Sequence, residues 1–148
     1  MTAIARKILI GADHGGYTLK ESLKKFLSAC GHEVIDVGTD SESSVDYPNY
    51  AMEVAKRVAA DKTLTGILIC GTGQGMCMVA NRVRGVRAAL CNELFTARMA
   101  RAHNNANILT MGGRVVGPGL AEEIVSLFLN TPFEGGRHQR RIDLLEQG

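Results

Sequence analysis

The sequence predicts an α/β fold: a three-layer, doubly wound parallel sheet of five strands in Rossmann-like, flavodoxin-like order, with helices on both faces. Two observations carry that expectation. Five short apolar runs, at residues 7–11, 32–38, 66–70, 86–91 and 107–112, alternate with stretches of helical periodicity. The connections between them are short, and no repeat or low-complexity segment breaks the alternation. Strands joined by right-handed crossovers form a parallel sheet covered on both sides. At 148 residues the chain suits a single domain over 1–148 with a real core.

Each element has its own local signature. Lys7-Ile8-Leu9-Ile10-Gly11 is a buried strand ending in Asp13-His14-Gly15-Gly16. Leu19, Leu23, Phe26 and Leu27 then recur at helical spacing, and Gly31 stops the helix. The second strand, 32–38, leads into a polar loop over 39–46. Pro48 suits the first turn of the next helix, whose inner face is Ala51, Val54, Ala55 and Val58. The third strand stops at Cys70, and the alternating glycines Gly71, Gly73 and Gly75 open a helical stretch over 76–82. A fourth strand and a helix over 93–102 follow, then the fifth strand. Pro118 precedes a helix with Leu120, Ile124, Leu127 and Phe128 on one side. Beyond Thr131-Pro132, a basic tail containing Arg137, His138, Arg140 and Arg141 runs into a short last helix.

Composition narrows the function. A net charge of +2 is too small to imply a nucleic-acid partner. The apolar run 8–10 is too short for a signal peptide or a membrane span, so a cytoplasmic protein is expected. The four cysteines form no C-x-x-C pair and fit neither a zinc site nor a disulfide framework. They should be free thiols, with Cys30, Cys77 and Cys91 small core residues.

In open parallel sheets, ligands sit beyond the carboxyl ends of the strands, where chain order reverses. With flavodoxin-like order that crevice lies between strands one and three, where Asp13-His14-Gly15-Gly16 meets the loop Gly71-Thr72-Gly73-Gln74-Gly75. A strand–glycine loop–helix junction gathers N–H groups and the positive helix end, which suits an anion. Met76 stands where a dinucleotide fingerprint needs its third glycine, and no P-loop Gly-Lys-Ser/Thr follows. A compact phosphate, carboxylate or oxyanion fits better than a nucleotide held through Glu93. Glycines serving only helix–strand packing are the structural alternative. Cys70, facing the loop and a helix start, should have an acidified thiol, usable as base or nucleophile. His103-Asn104 close the helix before strand five, at the amino end of the sheet. If His103 is catalytic, it must serve the pocket of another subunit. The arginines at 137, 140 and 141 are either a solvated tail or a phosphate clamp.

These motifs, with Asp46-Tyr47-Pro48, Arg101-Ala102-His103-Asn104-Asn105-Ala106-Asn107, Gly112-Gly113-Arg114 and Arg137-His138-Gln139-Arg140-Arg141, strongly resemble the type B ribose-5-phosphate isomerase family. That family includes galactose-6-phosphate and allose-6-phosphate isomerases. The likeness runs in order from about Lys7 to the last helix. It implies dimers or dimers of dimers with pockets shared between subunits, a small phosphosugar substrate, and neither cofactor nor metal. Cys70 would take the proton beside the sugar carbonyl, and His103 from the partner would help open the ring. Asp13 and Thr72 would handle hydroxyl protons. Gly71, Gly73, Gln74 and Gly75 would hold the enediolate, and Tyr47 and Asn104 would contact sugar hydroxyls. His14, Arg114, Arg137 and Arg141 would grip the phosphate, so segment 131–148 would serve both phosphate site and dimer. A glutamate-based branch of the family carries its base directly after the glycine loop; Met76 and Cys70 place this chain with the cysteine branch. Ribose 5-phosphate and ribulose 5-phosphate are the expected pair. A six-carbon 6-phosphate sugar, or a non-catalytic nucleotide- or phosphate-sensing role, are the alternatives.

Overall fold

β1 (Lys7–Ala12), β2 (Glu33–Asp36), β3 (Leu64–Cys70), β4 (Ala88–Leu90) and β5 (Ile108–Gly112) pair in parallel as one sheet, in the order β2-β1-β3-β5-β4. The structure, a computed structural model, describes residues 4–148, so the first three residues of the expected domain lie outside it. The half carrying the crevice, β2-β1-β3, is as the sequence predicts. The other half differs from flavodoxin-like order, because β5 and not β4 lies beside β3. Burial accounts for the exchange. All five residues of β5 are buried, as suits an interior strand covered on both faces. β4 has three residues, each only half-buried, and a short strand of that kind suits an edge.

Alternation along the central strands builds two cores. Ile8, Ile10, Ile67 and Ile69 face α1 (Tyr17–Ala29) and α5 (Pro118–Asn130), meeting Leu23, Leu27, Ile124 and Phe128, while α4 (Leu94–Ala102) adds Ala97 and Ala100. Leu9, Leu68 and Ile108 face the other way, against α2 (Tyr47–Ala60) and α3 (Gln74–Ala80). The inner face of α2 is Ala51, Val54, Ala55 and Val58, as its spacing predicts. Three expectations need correction. Leu120 is exposed, and the buried stripe of α5 runs through Ala121, Ile124, Val125, Phe128 and Leu129. Cys30 is exposed, since it caps the carboxyl end of α1 and does not face the sheet. The basic segment 137–141 is no tail but the first half of α6 (Arg137–Glu146). Among the described residues, no helix is long and apolar enough to cross a membrane.

One polar contact fastens α1 to the edge strand. Lys20 is 1% exposed, and its Nζ lies 2.6 Å from Asp36 Oδ2, which Lys24 also reaches at 2.7 Å. Burial alone would raise the Asp36 carboxyl, but donors from Lys20, Lys24 and the Gly38 N–H outweigh it and hold the group below its ordinary range. A depressed carboxylate stabilises the fold above its unfolded pKa, and that contribution is lost as pH falls through the folded value. Asp36→Asn leaves Lys20 charged and without its nearest counter-ion. The expected loss is about 2–3 kcal/mol at neutral pH, below the full cost of breaking a wholly buried pair, because Asp36 keeps some water. Urea unfolding at neutral pH and at about pH 3 checks this. The gap between variant and wild type should be large at neutral pH and shrink in acid; a gap independent of pH would contradict the assignment.

Candidate active site

The loops after β1, β3 and β5 converge because their strands are adjacent and in register, with Ala12 opposite Ile69 and Cys70 opposite Gly112. Main chain then meets main chain. The Asp13 N–H donates to the Ile69 carbonyl at 3.2 Å, the Gly113 N–H to that of Cys70 at 2.8 Å, and the Arg114 N–H to that of Gly71 at 3.0 Å. A Cβ on Gly16 would fall 2.4 Å from the Ile69 carbonyl oxygen, so no other residue allows this approach. Gly73 adopts φ +85° as the N-cap of α3, where a Cβ would also strike Leu90 and the Met111 backbone.

Cys70 closes the floor of this junction at 5% exposure. Its Sγ accepts the Gly73 N–H at 3.2 Å. The sulfur therefore faces the glycine loop, as the sequence predicts. Thr72 Oγ1 accepts the Gln74 N–H at 3.3 Å, while the first-turn N–H groups of Gly75 and Met76 have no acceptor within α3. They point where the helix dipole is positive. Tyr47 opens α2 with its ring packed directly on Gly75. Asp13, 6% exposed, is held by the Gly15 N–H at 2.9 Å. His14 Nδ1 accepts the Val45 N–H at 3.2 Å, which leaves Nε2 as the protonated donor and ties the 39–46 loop to the crevice. The Arg114 side chain passes over Gly71.

Two residues that sequence reasoning missed brace the loops. Asn92 donates from Nδ2 to the Thr72 carbonyl at 3.2 Å and accepts the Gly112 N–H at 2.9 Å. The Thr110 hydroxyl, fully buried in β5, donates to the Gly73 carbonyl at 3.0 Å. Neither belongs to a motif; the available signal was a polar residue just past a strand for Asn92 and one inside an otherwise apolar strand for Thr110. Glu93 is the N-cap of α4, its carboxylate accepting the Phe95 and Thr96 N–H groups at 2.7 Å each. The Thr96 hydroxyl, with the Thr96 and Phe95 N–H groups, holds it below the usual carboxylate range, so its carboxylate serves the helix cap.

His103, Asn104, Arg137 and Arg141 are not in this crevice. His103 caps the carboxyl end of α4, and the Asn104 and Asn105 carbonyls accept from Arg87, the residue before β4. That is the amino end of the sheet, as the order of elements predicts. The His103 ring stacks on His138 at 4.1 Å and 10°, and Glu134 Oε1 lies 3.7 Å and 3.5 Å from their Nε2 atoms. This trio has metal-ligand spacing. The rings lie face to face, however, so their in-plane lone pairs run nearly parallel and do not converge on one ion.

A family model described as ribose/galactose isomerase matches residues 8–145. Over 140 residues the chain is 46% identical to ribose-5-phosphate isomerase B of Escherichia coli, covering 95% of this chain and 94% of the relative. A solved ribose 5-phosphate isomerase of Thermotoga maritima superposes with TM-score 0.94 at 52% identity, over 97% of this chain and 99% of that one. The Mycoplasma genitalium ribose-5-phosphate isomerase B, solved with bound ribulose-5-phosphate, superposes with TM-score 0.93 at 44% identity, over 97% and 96%.

The remaining thiols are set apart by burial. Desolvation pushes Cys91 up to about 12 and raises Cys77 as well. Brief iodoacetamide treatment of the native protein near neutral pH should modify exposed Cys30 and spare Cys91 until the chain is unfolded, as read by peptide mass mapping. Equal labelling of the two would contradict this burial.

Proposed function

Because the chain belongs to the ribose/galactose isomerase family, we propose that it interconverts D-ribose 5-phosphate and D-ribulose 5-phosphate through an enediolate, in a pocket completed by a second copy of itself. The observation that carries this reading is the Cys70 sulfur facing a loop of main-chain donors at the end of β3. Aldose–ketose exchange moves one proton between neighbouring carbons. The barrier is the charge that appears on oxygen, so fixed N–H donors aimed at that oxygen are the main requirement.

Cys70 Sγ takes the proton from the carbon beside the carbonyl. The electrons of that C–H bond form the carbon–carbon double bond, and the carbonyl pair moves to oxygen. Negative charge thus passes from sulfur to substrate, and both positions lie beside the start of α3, so the same donors serve whichever atom holds it. Gly71, Gly73, Gln74 and Gly75 shape this cradle. Asp13 and Thr72 relay the hydroxyl protons, after which the thiol returns its proton to the neighbouring carbon. Tyr47 contacts a sugar hydroxyl from above Gly75. His14 and Arg114 hold the phosphate from this chain.

The other half of the pocket comes from the second copy. His103 of the partner subunit assists ring opening, Asn104 of the partner subunit contacts a hydroxyl, and Arg137 and Arg141 of the partner subunit complete the phosphate clamp. Binding energy at the remote phosphate is then available for orienting the reacting carbons. Segment 131–148 accordingly serves both the clamp and the dimer, in an enzyme placed in the cytoplasm. A proton-transfer reaction of this kind requires no cofactor. Relatives named for ribose 5-phosphate favour a five-carbon substrate, and steady-state assays of five- and six-carbon phosphosugars side by side test that choice.

Site sharing has a sharper test. Cys70→Ala and His103→Ala should each fold normally and lose turnover by about two orders of magnitude or more, as expected on removing a positioned acid or base. Mixed, unfolded together and refolded, they should recover about a quarter of wild-type activity. Half of the dimers are then mixed, and each mixed dimer carries one intact pocket. No recovery on mixing would place both residues in one chain's pocket and overturn the shared site.

A further inference from the structure

At the amino end of the sheet, away from Cys70, lies a cavity of about 500 Å³ bordered by Arg6, Lys62, Arg87 and Arg101, with Glu146 the one carboxylate in its lining. Carbonyls from the turn after α4 account for part of this charge. Arg87 Nε donates to the Asn104 and Asn105 carbonyls at 3.2 Å each, and its Nη1 pairs with Glu146 at 2.7 Å. Arg101 lies against the Phe128 ring, and its Nη1 donates to Asn105 Oδ1 at 2.9 Å and the Ala106 carbonyl at 2.6 Å.

Three cations remain unbalanced. Among the described residues, no carboxylate pairs with Arg6, Lys62 or Arg101. The Arg6 Nε is buried and, among the described residues, finds no acceptor. A buried donor without an acceptor is costly, and like charges gathered around one hollow add to that cost. Burial, with Arg6 and Arg87 close by, also draws the Arg101 guanidinium below its usual range. The gathered charge is met by one ligand that is anionic, rich in acceptors and small enough for the space, and the Arg6 Nε, closed off from solvent, reaches it when its side chain turns.

We propose that this cavity is a second anion site, taking a phosphate group, either free or carried on a small organic molecule, between Arg6, Lys62 and Arg101. The site has a route to the pocket. Asn105 holds φ +45°, uncommon outside glycine, and Arg87 and Arg101 clamp the turn that it shares with His103 and Asn104. An anion drawing Arg101 toward itself competes with Asn105 for the guanidinium and loosens the turn that presents His103. This second step rests on the isomerase reading above; the binding step does not.

The test is NMR of arginine Nε–H signals in the whole protein, titrated with inorganic phosphate and, separately, glycerol 3-phosphate. The Arg6 signal should shift saturably with phosphate, and should do so equally in an Arg114→Gln/Arg137→Gln variant whose substrate clamp is disabled. Tighter saturation by glycerol 3-phosphate identifies an organic phosphate as the occupant, and tighter saturation by inorganic phosphate identifies the free ion. Arg6→Gln/Lys62→Gln should weaken binding at this site about tenfold or more, followed on the Arg101 signal. Lys62→Gln alone, at an exposed position, guards against a folding defect and should weaken it several-fold. A static Arg6 signal, or binding that both Lys62 variants leave unchanged, would overturn the site. For the coupling step, phosphate should lower kcat at saturating substrate in wild type and not in Arg6→Gln/Lys62→Gln. Saturable binding with an unchanged kcat would remove the coupling and leave the anion site standing.

Discussion

The hydrogen bond from the Gly73 N–H to the Cys70 sulfur is the contact on which the crevice depends, since it sets the direction of the one thiol placed among main-chain donors. It exists because Gly73 can hold a left-handed conformation that other residues resist, and because Gly16 lets the β1 loop press on the end of β3. Asn92 and Thr110 then fix the loop carbonyls from the side, so that the N–H groups stay aimed at the cradle. Preorganisation of this sort means that little rearrangement is needed when charge appears on a substrate oxygen.

The sheet divides the labour between its two ends. Its carboxyl end gathers Asp13, His14, Cys70 and the glycine loop, because the β1 and β3 loops face each other across the switch point. The amino end holds His103, stacked on His138, together with the arginines of α6. One chain cannot bring the two ends together, since the sheet itself stands between them. In the proposed dimer, two copies, each offering its amino end to the other's carboxyl end, would form two pockets by one symmetric contact. The anion cavity lies beside the turn that makes this offer, which places a ligand within reach of the shared part of the pocket.

Much of this was legible in the residues. Element types and the positions of Cys70 and His103 follow from periodicity and from the alternation of strand and helix, which fixes the end at which each loop emerges. The exchange of β4 and β5 was not legible, since local pattern does not record how far a crossover travels. The clue was the contrast between the bulkier, largely apolar residues of β5 and the small residues of β4. Leu120 and Cys30 show the same limit: apolar character says that a residue tolerates burial, while the rotation of the helix decides whether it receives it. Asn92 and Thr110 escaped notice because a brace needs only one polar atom in the right place, and that atom is set by tertiary contact.

Proton transfer through a sulfur base, with the charge caught by main-chain donors, has a direct isotopic signature. Turnover of ribose 5-phosphate in deuterium oxide, sampled at early times and read by NMR, should place solvent deuterium on the carbons that exchange hydrogen, and Cys70→Ala should abolish both turnover and incorporation. Sustained turnover with no deuterium entering those carbons would point to direct hydride migration and contradict the account.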